Sequence, residues 1–110
     1  MASAFRYYLI GVALIIATQA GATQEVRDTS PGFAYAKQVC SECHGVRKGE
    51  RISPHERAPA FQVVADAPGM SEMALQVWLQ SPHPSMPNLL IKAQESDDLV
   101  AYILSLKQRR

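Results

Sequence analysis

The sequence predicts an all-α domain, on three observations. Leu99, Tyr102, Ile103 and Leu106 fall at spacings of three, one and three, the stripe of a helix buried on one face. No run alternates apolar and polar residues as a half-buried strand does. Proline and glycine cut the rest into short segments, at Pro31, Pro59, Pro68-Gly69 and the prolines of residues 81–88 (SPHPSMPN).

Taken in order, residues 23–30 are polar and read as a lead-in. Pro31 suits a first helical position, so residues 32–39 are expected to form a short helix that delivers Cys40 and ends at Gly45. Residues 46–58 (VRKGERISPHERA) are charged, without an apolar stripe, and read as a surface loop. Residues 59–66 read as a second short helix with proline in its first turn, closed by Pro68-Gly69. Ser71 is a good N-cap, with Glu72 beside the positive end of the helix dipole. The helix that follows, Glu72 to Gln80, is expected to bury a broad face of Met73, Ala74, Val77 and Trp78, with Leu75 and Leu79 beside them. Pro82 stops it. Residues 81–88 are expected to be extended, because proline blocks helix and biases its predecessor away from it. The last helix is expected to start between Ala93 and Ser96, with Asp97 and Asp98 near its positive end and Lys107 near its negative end.

The chemistry is concentrated in Cys40-Ser41-Glu42-Cys43-His44, the attachment signature of a c-type haem. Residues three apart on a helical turn share a face, so both thiols can reach the two vinyl groups of one porphyrin. His44 is then placed to ligate the iron as the proximal ligand. A zinc site would need about four ligands; these are the only cysteines, and His55 and His83 lack zinc-finger spacing. A thioredoxin-like dithiol would follow a strand, and none precedes Cys40.

The N-terminus supplies a matching address. Arg6, the apolar residues 7–17 and Ala20-Gly21-Ala22 form the charged, apolar and A-x-A parts of a secretory signal peptide. The apolar run is shorter than the ~20 residues that cross a bilayer. The expected division is a signal peptide over residues 1–22 and one domain over residues 23–110, exported to the periplasm in a Gram-negative host. Arg6 is the only charge in that leader, so its removal takes 11 basic and 10 acidic residues to parity. Such a balance argues against nucleic-acid binding or a polybasic membrane contact. At this size an apolar core is marginal unless something large fills it, and a haem would.

Over essentially the whole chain after the leader, the sequence resembles a small mono-haem class I cytochrome c of bacterial type. The resemblance rests on the attachment motif, on Gly32 eight residues before Cys40, and on Leu99-Val100-Ala101-Tyr102, which is similar to the family's Leu-Ile-Ala-Tyr run. It implies the class I cytochrome c fold, helices packed around one covalent haem c, with Gly32 at a close crossing of the first and last helices and Tyr102 packed over the first. It implies a sixth iron ligand from a proline-containing loop before the last helix, where Met86 stands in Pro84-Ser85-Met86-Pro87. Flanking prolines limit the entropy cost of holding the thioether in place. His83, three residues away, is the rival; Met70 reads as a turn residue, Met73 as core and His55 as solvated. Pro59 resembles the family proline whose carbonyl accepts the proximal histidine N–H, with Pro54 as a substitute, and Trp78 matches a commonly aromatic position close to the haem.

The expected function is a periplasmic one-electron carrier with His44 and Met86 as axial ligands, carrying out no bond-making chemistry of its own. Its partners would be redox proteins, met as a monomer or as a complex subunit. A fixed relay subunit of a dehydrogenase or oxidase, and a haem enzyme or sensor with a labile sixth ligand, are the alternatives.

Overall fold

The computed structural model describes Gly21 and residues 26–109, so the expected leader, Gly21 apart, lies outside the described residues. Among them the fold is all-α: α1 (Ser30–Tyr35) continuing into a π-wound segment (Ala36–Cys40), then α2 (Phe61–Asp66), α3 (Glu72–Gln80) and α4 (Ala93–Ser105). The sole β pairing there is an isolated bridge between His83 and Met86. No helix among the described residues is long and apolar enough to cross a membrane.

Helix α4 organises the core. Its Leu99, Val100, Tyr102 and Ile103 are buried with Leu106 just beyond it, against Ala36 and Cys40 from the first helical arm, Phe61 and Ala65 from α2, and Leu75 from α3. The first arm crosses α4 at Gly32, where a Cβ would stand 2.0 Å from the Asp98 carbonyl oxygen and 2.7 Å from Tyr102 Cβ. Only a residue without a side chain permits that approach. Tyr102 lies over the arm beside Phe33, ring centroids 5.2 Å apart, and its hydroxyl donates to the Val46 carbonyl.

Local chemistry explains the element limits. Ser71 Oγ accepts from the Ala74 N–H at 3.2 Å and caps α3. Glu95 reaches back to accept from the Lys92 N–H at 3.3 Å, fixing the start of α4 at the early end of its expected range. Gly69 takes φ +73° in the turn before α3, a conformation that costs glycine little.

Two expectations are corrected. Gly45 does not end the first helix, whose π-wound segment stops at Cys40. It is needed instead because a Cβ there would meet the Ile52 carbonyl oxygen at 2.8 Å. Nor does α3 bury a broad apolar face: Leu75 is buried, but Met73 is 77% exposed and Val77 and Trp78 58% each. Five of its nine residues are large and apolar, more of the circumference than its one packed neighbour, α4, can cover. The α3–α4 contact is completed by polar groups, with Gln76 accepting from Ser96 Oγ at 2.7 Å and donating to Asp97 at 2.8 Å.

Candidate haem-attachment site

The attachment motif occupies the turn that leaves the π-wound segment. The Cys40 carbonyl accepts from both the Cys43 N–H, at 3.2 Å, and the His44 N–H, at 2.9 Å, so the three candidate residues share one turn. Ser41 Oγ donates back to the Lys37 carbonyl. Cys43 is tied forward as well, its carbonyl accepting from the His55 N–H at 3.1 Å. Both cysteines are free thiols. Cys40 is 8% exposed, and burial pushes its thiol up to about 11, so at neutral pH it is protonated and a weak nucleophile.

His44 is fixed by two neighbours. Its Nδ1 lies 2.7 Å from the Pro59 carbonyl oxygen, and its ring sits beside buried Phe61, centroids 5.3 Å apart. A carbonyl can only accept, so Nδ1 carries the proton and Nε2 of the neutral ring keeps its lone pair. That is the tautomer an axial iron ligand needs, with the carbonyl raising its basicity. Pro59, not Pro54, is the partner.

The loop between His44 and Pro59 is charged at its surface, as expected, yet anchored from within. The Gly45 N–H donates to Ser53 Oγ at 3.0 Å, and the Phe61 N–H to the Gly45 carbonyl at 2.8 Å, which brings the start of α2 against the attachment turn. Buried Gln62 ties three parts together. Its amide nitrogen donates to the Leu106 carbonyl at 2.7 Å and to Asp66 at 3.1 Å, while its oxygen accepts from the Gly49 N–H at 2.9 Å. Sequence reasoning missed this hub; a glutamine inside FQVVAD looks like an ordinary solvated helix position.

Met86 stands in the loop between α3 and α4. Pro84 and Ser85 form a tight turn, and the Met86 N–H donates to the His83 carbonyl at 3.3 Å. Both residues are half-buried and line a cleft of about 680 Å³ with Leu79, Leu90 and Ser96, whose walls include none of Cys40, Cys43 and His44. The structure thus brings together Cys40, Cys43, His44 and Pro59, and separately Met86 and His83. Trp78 stacks on His83, ring centroids 4.8 Å apart and planes 18° from parallel, a contact the sequence did not suggest. Met70 packs half-buried against the core from its turn, Met73 is a surface residue, and the His55 side chain is exposed, its Nδ1 accepting from the Arg57 N–H at 3.2 Å.

No family model, curated protein or solved structure matches the chain.

The donor set can be tested for a haem on its own chemistry. Two free thiols on one turn and an adjacent imidazole with its outer nitrogen available meet the protein's side of covalent attachment and proximal ligation. No three His, Cys, Asp or Glu side chains converge among the described residues. Cys40, Cys43 and His44 are the residues that would hold a haem.

Proposed function

We propose that this chain is an exported one-electron carrier of the small class I cytochrome c type, with haem c on Cys40 and Cys43 and with His44 and Met86 as axial ligands. The observation that carries the reading is the His44–Pro59 contact beside the Cys40-Ser41-Glu42-Cys43-His44 turn. A histidine aligned by a backbone carbonyl, immediately after two thiols at vinyl spacing, has a specific use in axial ligation.

When bound, the haem supplies a reversible ferric/ferrous couple. The chain's part is to hold and tune it. Cys40 and Cys43 would hold the haem through thioethers, the addition of a thiol to a vinyl group needing no oxidant. Pro59 orients His44, and the proline-bracketed turn would offer the Met86 thioether sulfur as a further ligand. Ile52, Val77, Trp78 and Leu90 are exposed apolar side chains from which contact with a partner could be built.

A potentiometric titration of the holoprotein followed by its visible spectrum tests this role. The carrier gives a reversible one-electron curve, and cyanide leaves the ferric spectrum unchanged over minutes. Rapid cyanide binding would instead assign the chain to the enzyme or sensor class.

A further inference from the structure

We propose that Trp78 selects the sixth ligand, holding His83 in a stack and leaving Met86 to the iron. The inference rests on the haem-carrier reading and adds a positioning residue to it.

His83 and Met86 are directly opposed in an antiparallel bridge across Pro84-Ser85. Residues so opposed project their side chains to the same side, and both line the same cleft. Two groups with affinity for haem iron are therefore offered together, and imidazole is a common axial ligand in its own right. The turn alone does not choose between them.

The difference lies in what else each side chain touches. The indole of Trp78 covers the His83 ring at 4.8 Å and 18°, an offset-stacking geometry. Trp78 is itself fixed at the end of α3, where its carbonyl accepts from the Ser81 N–H at 3.3 Å and Ser81 Oγ donates to the Val77 carbonyl at 2.6 Å. An aromatic pair of this kind biases a two-state equilibrium by up to about tenfold. A His83 ring that turned away to ligate iron would give up this stack, in which Met86 has no part. As Trp78 is more than half exposed, its ring can be cut back without opening the core.

The test uses holoprotein in five forms: wild type, Trp78→Phe, Trp78→Ala, His83→Ala and the Trp78→Ala/His83→Ala double variant. The ferric sulfur-to-iron charge-transfer band and the low-spin electron paramagnetic resonance signal report the sixth ligand. Wild type, Trp78→Phe and His83→Ala are expected to keep the band. Trp78→Ala is expected to lose it and gain a bis-imidazole signal, and the double variant to regain it. A band that persists in Trp78→Ala overturns the proposal. So does a band lost in Trp78→Ala and still missing in the double variant, because the indole would then support Met86 instead of restraining His83. Wild-type protein with covalent haem and no band also overturns it. Absence of covalent haem, read on a denaturing gel before any spectrum, marks failure of the carrier reading itself.

Discussion

His44 Nδ1 stands 2.7 Å from the carbonyl oxygen of Pro59, fifteen residues further along the chain. The contact joins the attachment turn to the entry of α2 and sets which imidazole nitrogen faces outward. Pro59→Gly keeps the carbonyl and releases its φ angle, which costs about 1 kcal/mol through the unfolded chain. If His44 ligates the iron as proposed, a less firmly held carbonyl would make it a weaker donor and ferric iron would lose support. The expected outcome is a higher reduction potential with haem retained, measured by spectroelectrochemistry.

Gly32→Ala places a methyl where the Asp98 carbonyl already stands. The arm and α4 must separate, and Tyr102 loses its seat against Phe33. Overpacking of this kind costs about 3 kcal/mol, read as a lower urea midpoint with an unchanged slope. Stability within about 0.5 kcal/mol of wild type would show that the crossing can relax.

Gln62→Leu removes a partner from the Leu106 carbonyl, the Gly49 N–H and Asp66 together. The Leu106 carbonyl is the buried one of the three, and left unpaired it costs about 1–3 kcal/mol. A loss of about 1–3 kcal/mol is expected by denaturant titration, with faster amide exchange at Gly49.

Met86→Ala is expected to abolish the sulfur-to-iron band, lower the potential and admit exogenous ligands such as imidazole. A band surviving that substitution would transfer the assignment to Met70 or Met73.

Salt is expected to affect electron transfer with a natural partner only mildly. The loop arginines are partly engaged within the chain: Arg51 pairs with Asp66 at 3.1 Å, and the Arg47 guanidinium lies 6.0 Å from the Phe33 ring centre. Exposed apolar residues supply contact that ions do not screen. Stopped-flow rates should change less than about tenfold between low and physiological salt, whereas strong steering would exceed that.

What could be read from the sequence was chiefly what depends on local rules. The Ser71 cap, the turn at Gly69 and the apolar stripe of α4 all follow from residues within a few positions of one another. The Gly32 crossing and the Pro59 contact are long-range, and were legible only through a family resemblance. Illegible were features set by which neighbours a segment meets. Met73, Val77 and Trp78 are apolar at helical spacing, but α4 covers one narrow side of α3 and no pattern tells which. Gln62 is polar and buried because three chain segments converge on it, and composition carries no trace of that. Gly45 was read as a helix stop, yet what demands glycine there is the Ile52 carbonyl, seven residues away.

Covalent attachment is the claim on which the rest depends. Full-length protein, expressed with its own leader and a haem-maturation system, should be run on a denaturing gel and stained for haem. Haem migrating with the polypeptide, and missing from it in the Cys40→Ala/Cys43→Ala variant, is the predicted result. Haem that runs free of the wild-type chain, or a chain that takes up none, would contradict it.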